Sequence, residues 1–269
     1  MKKILAPTDF SPNADNALAY AIDFANKCGG HITLLHTYRL YSSAAVFISV
    51  ESLMEEDARR QMDALLQRLE PQLRGTASIE GKVVRGDAVP VITDMAEKGG
   101  YSLIIMGTQG ASGLKEIFIG STANGVMKHT SVPVLAIPNG FSFRPIKKVV
   151  FAIDAGGISH PGVTSVLVQI AKKCGARAYV FHQGLGERDD GIDPSIDIYL
   201  DDIEHSFHYE LEADGINASI NSFVADYDAD LLCMVRRQRG FLEEAFHVSA
   251  TTREVFDSPV PLLVLHDEE

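Results

Sequence analysis

The amino-acid sequence predicts an α/β protein built from two tandem doubly wound domains, each with a parallel five-stranded sheet covered by helices on both faces. Short apolar runs alternate with longer segments in which apolar residues recur at helical spacing, the pattern of β-α-β units. The strand candidates are continuously apolar, as strands buried on both faces should be. The whole pattern then restarts near residue 146, which indicates a repeat.

Composition sets the broad class. The 269 residues, 46% hydrophobic and 22% charged, suit one large or two ordinary globular domains. No apolar run approaches the roughly 20 residues that a membrane span needs, and the net charge of −12 disfavours nucleic acid and anionic membrane as partners. Three cysteines and a short apolar N-terminus predict a cytoplasmic protein without a disulfide framework or zinc site.

The first copy contains five predicted strands and four predicted helices. Ser11 can cap the first helix, Pro12 suits its first position, and the Gly29-Gly30 pair ends it. The predicted order begins with strand 2–7, helix 12–28, strand 31–36, an irregular stretch 38–50, helix 53–73 and strand 78–84. A helix with Pro90 near its start then runs to about residue 98, followed by strand 103–106, a helix from Ser121 and strand 132–137.

The second copy is aligned to the first by three matches. Residues 3–9 match residues 148–154 at an offset of 145, and the pair Cys28 and His36 matches Cys174 and His182 at an offset of 146. From residues 103–106 onward the offset is 128. With residues 138–145 as a linker, the predicted domains are 1–140 and 146–269.

The fall in offset between the second and fourth strands predicts a shortened second copy. We assign the missing residues mostly to the stretch between Ala218 and Asp230, which corresponds to the helix that contains Pro90. The sequence therefore predicts that the second domain lacks this helix or keeps only one turn of it.

A glycine-rich loop in the first copy carries the clearest functional signal. Gly107 and Gly110 follow an apolar strand, and Gly120 and Ser121 precede a helix. Glycines let backbone N–H groups approach an anion closely, and a helix N-terminus offers unpaired donors with a partial positive charge. The pattern matches neither G-x-x-x-x-G-K-[ST] nor G-x-G-x-x-G. We expect backbone groups, Ser121 and a magnesium ion to balance phosphate charge here.

The second copy tests whether this loop needs its glycines merely to fold. Val235, Gln238 and Val248 replace the three glycines, and only Ser249 keeps its type. A structural role for the glycines is therefore weakened, and a phosphate or nucleotide role is favoured. We predict no ATP in the second copy. A solvated basic loop is the favoured interpretation of its arginines, although they leave open a site for another anion.

The spacing Gly107-x2-Gly110-x9-Gly120-Ser121 resembles the ATP-binding signature of the universal stress protein family. The opening strand with Asp9, the strand-end His36 and the motif at residues 132–135 also resemble that family. The resemblance implies a strand order of 3-2-1-4-5 in each domain. It also implies that the last strands pair antiparallel, which would make the chain an internal pseudo-dimer. Whether two chains associate further as a homodimer is left open.

The same resemblance implies an ATP site, with magnesium, at the switch point between the first and fourth strands. Asp9 would hold the nucleoside, and Thr37 would contact adenine through its backbone. The loop from Gly107 would line the ribose and phosphates, and the helix start at Gly120 would take the phosphates. The candidate residues are Pro7, Thr8, Asp9, Thr37, Met106, Gly107, Gln109, Gly110, Gly120, Ser121 and Thr122.

The function that these features indicate is a cytoplasmic stress-response protein that binds ATP in its first domain, with the second domain as a non-binding scaffold. Nucleotide would bias the protein between states or protein partners. Two alternatives stay open: a slow ATPase or autophosphorylating enzyme, with Ser112, Ser121 or Thr122 as acceptor, and an interaction module without nucleotide. No residue is assigned a catalytic role, and His36 and His182 are interpreted as core histidines at strand ends.

Overall fold

The computed structural model describes residues 2–39, 48–109, 119–154, 157–184, 191–211, 215–237 and 258–267. Ten strands form one sheet in the order β3-β2-β1-β4-β5-β10-β9-β6-β7-β8. Each half therefore has the order 3-2-1-4-5 that the sequence predicts. Every neighbouring pair is parallel except β5 and β10, which pair antiparallel at the centre.

The elements of both halves follow the expected β-α alternation. The first half contains β1 (Lys3–Pro7), α1 (Pro12–Cys28), β2 (His31–Tyr38), α2 (Ile48–Leu69) with a 3-10 turn at Glu70–Gln72, β3 (Ser78–Arg85), α3 (Ala88–Lys98), β4 (Leu103–Gly107), α4 (Ser121–His129) and β5 (Val134–Ile137). The second half contains β6 (Lys148–Ala152), α5 (Ser165–Cys174), β7 (Arg177–Gly184), α6 (Ser195–Tyr199), β8 (His205–Leu211), α7 (Ile216–Asp226), β9 (Leu231–Arg236) and β10 (Leu262–His266).

The boundaries of α1 have the local causes that the sequence indicates. The Ser11 side chain accepts a hydrogen bond from the Ala14 N–H at 3.2 Å, and Pro12 occupies the first turn. The helix ends where Gly29 takes a φ of +76°, a conformation that residues other than glycine rarely adopt. The Ser11 cap and Pro12 place the start of α1 directly after the turn at the end of β1, and Gly29 sets its end.

Helices cover both faces of the sheet, so side chains of β1 alternate between two cores. Ile4 and Ala6 point to a cluster that also contains apolar residues of α1, α2 and α5. Leu5 points to the opposite cluster, which contains residues of α3, α4 and α7. All three β1 side chains are fully buried, which explains why these strands are continuously apolar. No helix in the described part of the chain is long and apolar enough to cross a membrane.

The two halves meet through the last strand of each. Leu263 lies opposite Leu135 in the antiparallel register, and both side chains are fully buried. The linker also packs against the first half, because Phe143 meets the ring of Tyr20 edge-on at 5.1 Å between centroids. The pairing that the family resemblance implies is thus present within one chain, and both cores continue across the junction.

The predicted position of the shortened segment is wrong. Helix α7 occupies the place of α3 and has the same length, whereas the counterpart of the 22-residue α2 is the five-residue α6. The register explains the error: Ile79 pairs with Ile32 and His205 pairs with Ala178, so the offset has already fallen to 126 at the third strand. The chain lost its residues before β8, and the second domain keeps the helix we expected it to lack.

A histidine at the end of β10 connects the second half to a helix of the first. Nε2 of His266 donates a hydrogen bond to the carbonyl oxygen of Met127 in α4 at 3.0 Å. Burial lowers the pKa of His266 to about 4, with the Arg236 charge adding to the effect, while the Met127 bond and Glu97 act in the opposite direction. The neutral imidazole is therefore the form that this junction accommodates.

We expect truncations at the central strand pair to be strongly destabilising and coupled. Leu135→Ala and Leu263→Ala should each lower the free energy of unfolding by about 2–5 kcal/mol, because each opens a cavity in a closed core. Together they should cost less than the sum by about 0.5–3 kcal/mol, since they share one contact. Denaturant unfolding measures all three. Leu34→Ala, four strands from β10, combined with Leu263→Ala should be additive; equal coupling in both cycles would contradict the described register.

We expect His266 to make stability fall in mild acid. Its pKa is lower in the folded protein than in the unfolded chain, so the unfolded state binds the proton more tightly. The stabilisation is present above pH 6.5 and is lost as the pH falls towards about 4. Wild-type protein should lose roughly 2–3 kcal/mol more over this window than His266→Gln, measured by denaturant unfolding. Parallel pH profiles of the two proteins would rule out this role.

Candidate functional site

A cleft of about 220 Å³ lies at the carboxyl ends of β1 and β4. These two strands are neighbours, but α1 leaves β1 towards one face of the sheet and α4 follows β4 on the other. The chain therefore diverges at this point and leaves a crevice, the usual ligand position in open α/β sheets. The cleft is lined by Pro7, Thr8, Asp9, Ala14, Leu35, Thr37, Ala88, Ile92, Met106, Gly107, Thr108, Gln109, Gly120, Ser121, Thr122 and Ala123.

Ten of the eleven candidate residues line this single cleft, and Gly110 lies outside the described residues. Their roles in binding stay predictions. Sequence reasoning missed Ala14, Leu35, Ala88, Ile92, Thr108 and Ala123. The signal for Ala88 and Ile92 was available: α3 follows a parallel strand, so its first turns must lie at the same sheet edge as the ends of β1 and β4.

The turn after β1 is held by its own hydrogen bonds. Oδ1 of Asp9 accepts from the Ser11 N–H at 3.0 Å, and Oγ1 of Thr8 accepts from the Phe10 N–H at 3.0 Å. Phe10 has a φ of +59° and stacks on the ring of His36 at 4.3 Å between centroids. Nδ1 of His36 contacts the Thr8 carbonyl oxygen at 2.9 Å. These contacts present the exposed carboxylate of Asp9 at the mouth of the cleft.

The backbone of Thr37 faces the space beyond the end of β1. Leu35 accepts a hydrogen bond from the Thr8 N–H, so its carbonyl points towards β1. Tyr38 accepts from the Gly86 N–H on the opposite side, beyond the end of β3. Successive carbonyl groups along a strand point to opposite sides, so the carbonyl of Thr37 points the same way as that of Leu35. It points past the last residue of β1. One wall of the cleft therefore offers main-chain polar groups next to apolar side chains.

Gly107 at the end of β4 lies where a side chain would be crowded by the neighbouring main chain. A Cβ at this position would lie 3.3 Å from the carbonyl oxygen of Asn13 and 3.4 Å from that of Gln109. Gly107 has no positive φ, so close approach rather than backbone conformation favours glycine here. A larger residue would press on the first turn of α1, which borders the cleft.

The N-terminus of α4 forms the opposite wall. Gly120 is the N-cap, has no side chain to offer, and accepts the first intrahelical bond from the Asn124 N–H at 2.9 Å. The N–H groups of Ser121, Thr122 and Ala123 therefore have no acceptor within the helix. All three residues line the cleft, where Asp9 is the only charged group among the described lining residues. An anion at this end would be met by backbone N–H groups and the helix dipole.

The corresponding place in the second half is occupied by the chain itself. Asp154 corresponds to Asp9, Arg237 corresponds to Gln109, and the two form an ion pair with side chains only 25% and 17% exposed. Val235 takes the position of Gly107 at the end of β9. His182 keeps the structural role of His36, since its Nδ1 contacts the Ile153 carbonyl oxygen at 3.0 Å. The frame of the site is repeated, but an ion pair now lies at the strand ends, and the Val235 side chain packs into the core.

Comparison with known proteins gives consistent matches. The family model described as "Universal stress protein family" matches residues 1–138. A universal stress protein of Methanocaldococcus jannaschii is 31% identical over 155 residues, covering 51% of this chain and 94% of the relative. Universal stress protein A homolog 2 of Coxiella burnetii is 28% identical over 144 residues, covering 51% and 94%.

The fold of the whole chain also has a solved counterpart. The crystal structure of a universal stress protein from Archaeoglobus fulgidus matches 99% of this chain and 97% of its own, with a TM-score of 0.69 and 24% identity. At that identity the match concerns the fold. It extends over both halves, whereas the family model covers the first.

We expect the two equivalent aspartates to differ in their effect on stability. Asp154→Ala should lower the free energy of unfolding by about 1–3 kcal/mol, because it removes the carboxylate from an ion pair whose Arg237 side chain is only 17% exposed. Asp9→Ala, at an exposed carboxylate, should cost less than about 1 kcal/mol, because solvent screens its interactions. Denaturant unfolding of both variants gives the comparison. Equal losses would mean that the ion pair does not close the second cleft.

Proposed function

The chain belongs to the universal stress protein family, and from this premise we propose that its first half binds ATP in the cleft between β1 and β4. The ligand would bias the protein between states or protein partners in a stress response. One observation carries the proposal: a carboxylate and a set of unpaired helix N–H groups face each other across one crevice at the switch point. A nucleoside and a phosphate chain present the complementary groups at opposite ends of one molecule.

The walls of the cleft differ in a way that suits the parts of ATP. Asp9 can accept hydrogen bonds from ribose hydroxyls, and Thr37 presents main-chain groups to the edge of a base. Leu35, Ala88 and Ile92 supply apolar contact for a flat ring, as mostly apolar ligand pockets do. The first turn of α4, with the hydroxyls of Ser121 and Thr122, would take the phosphates.

A magnesium ion would be held mainly through the phosphates. Among the described residues, no group of three or more His, Cys, Asp or Glu side chains could hold a metal ion. Mg²⁺ in nucleotide sites keeps several waters and bonds to phosphate oxygens with one or two protein oxygens. The hydroxyl groups at the start of α4 are suited to that limited role, so the proposal includes magnesium as a companion of ATP.

We further propose that the second half acts as a scaffold that does not bind ATP. The Asp154–Arg237 ion pair would stand where the ribose lies in the first half, since Asp154 corresponds to Asp9. A ligand would have to break a largely buried ion pair before it could enter. Binding therefore favours the first half by both charge and space.

Efficient hydrolysis is less well supported than binding. The described lining residues include no histidine, lysine, arginine or glutamate, although turnover needs a group that orients water and cations near the γ-phosphate. Ser121 and Thr122 stay candidates for slow autophosphorylation, and Ser112 lies outside the described residues. An interaction module without nucleotide is the alternative that a direct binding measurement separates most clearly.

Calorimetric titration with ATP and magnesium should find one site per chain. Asp9→Ala should weaken binding by roughly 10- to 100-fold, the effect of losing a charge-assisted hydrogen bond. Gly120→Val, which introduces the residue type that Val248 has in the second copy, should abolish it. The matched control Asp154→Ala should leave the affinity unchanged.

The outcomes separate the hypotheses. Two equal sites per chain would contradict the account of the second half, and absence of binding by folded wild-type protein would leave the interaction module as the function. Release of phosphate above the uncatalysed rate, lost in Gly120→Val, would establish the slow ATPase.

A further inference from the structure

Two cysteines from different halves meet where the halves pack together. Cys28 is the last residue of α1, and Cys174 is the last residue of α5, the equivalent helix of the second half. Both precede a glycine with positive φ, Gly29 at +76° and Gly175 at +63°. Because the halves are related by the antiparallel pairing of β5 and β10, equivalent helix ends come together across the junction.

The sulfur atoms are close and shielded. Sγ of Cys28 lies 3.9 Å from Sγ of Cys174, and the residues are only 4% and 3% exposed. A disulfide needs a separation of about 2.05 Å, so the two sulfurs must approach by roughly 2 Å. Rotation of the two side chains at helix ends can supply much of that movement, since the last turn of a helix is its least constrained part.

The surroundings favour one thiolate of the pair. The hydrogen bond with the Cys28 thiol lowers the pKa of Cys174; burial opposes this shift, and the positive charges of Lys27 and Lys147 support it. The Lys147 ammonium is fixed near Cys174 by a hydrogen bond to its carbonyl oxygen at 2.8 Å. The thiolate is the reactive form of cysteine, so Cys174 is the nucleophile of the pair.

We propose that Cys28 and Cys174 are a redox modification site, at which a hydroperoxide converts the two thiols into a disulfide that cross-links the two halves of the chain. The proposal is independent of nucleotide binding. It rests on the distance between two buried sulfurs at equivalent helix ends, on different halves of one chain.

The reaction balances in two steps. The Cys174 thiolate attacks one oxygen of hydrogen peroxide, the O–O bond breaks, and the departing hydroxide takes a proton to become water, which leaves a sulfenic acid. The Cys28 sulfur then attacks the Cys174 sulfur and displaces hydroxide, which takes the Cys28 proton and leaves as a second water. Two thiols are oxidised by two electrons in total, and one peroxide is reduced.

Mass spectrometry of the full-length protein tests the site directly. Folded protein is treated with a small excess of hydrogen peroxide, quenched with catalase, then denatured and alkylated. Of the three cysteines, only one should react with the alkylating agent, the intact mass should fall by two hydrogens before alkylation, and digestion should give a Cys28–Cys174 cross-linked peptide. Dithiothreitol should restore three reactive thiols. The oxidised protein should melt roughly 5–15 °C higher, because the bridge closes a long loop.

Matched cysteine variants separate the site from general oxidation. Cys233 is fully buried in β9 and lies outside the proposed pair, so Cys233→Ser should retain the cross-link. Cys28→Ser and Cys174→Ser should lose it, and Cys28→Ser should accumulate a sulfenic acid at Cys174 that dimedone traps. Three free thiols after treatment, disulfides between chains, or an equal cross-link in Cys28→Ser would each overturn the proposal.

Discussion

The antiparallel pairing of β5 with β10 is the constraint on which the rest of the architecture depends. Each half on its own would end in a short, continuously apolar edge strand, the kind of edge that promotes aggregation. Pairing the two edges closes both at once and fixes an approximate two-fold relation between the halves. That relation brings α1 beside α5 and continues both cores across the junction. Because the strands of the two halves run in opposite directions, the strand ends that correspond to the cleft lie on opposite sides of the sheet.

Within each half, the position of the cleft follows from topology rather than from any individual side chain. Where β1 and its neighbour β4 send their following helices to opposite faces, no main chain fills the space above the strand ends. The histidine contacts at His36 and His182 preserve this frame in both halves. What differs is the residues at the strand ends: Gly107 with the exposed Asp9 in the first half, and Val235 with the Asp154–Arg237 ion pair in the second. The two halves therefore share one fold but differ in the residues at the cleft.

The strands and most helices were predictable because their signals are local. Ser11 and Pro12 begin α1 as expected, and the apolar runs of β1, β4, β6 and β9 are buried on both faces. The candidate site was predictable because its residues sit at strand ends and at a helix start, which the chain order alone brings to one edge of the sheet. The apolar wall at Ala88 and Ile92 was missed because residue type alone does not separate these side chains from core residues; only the position of α3 after a parallel strand indicated them.

The error over the shortened helix has a physical origin. The repeat was aligned on the second and fourth strands, which are apolar and alike in both copies. The third strand of the second half contains His205, Ser206 and His208 at the edge of the sheet, where solvent accepts polar residues and no apolar run marks the strand. Only strand register could show that the deletion precedes β8.

The ion pair between Asp154 and Arg237 affects how binding to the chain would depend on ligand concentration. The Asp154 and Arg237 side chains are held on one fold, so their effective concentration for each other is set by the fold and does not depend on ligand concentration. Because this ion pair occupies the second cleft, the tandem chain has one cleft available to a ligand. With ligand bound only in the first half, as proposed, the saturation curve of one chain is hyperbolic, with a Hill coefficient of one, despite the two-fold symmetric architecture.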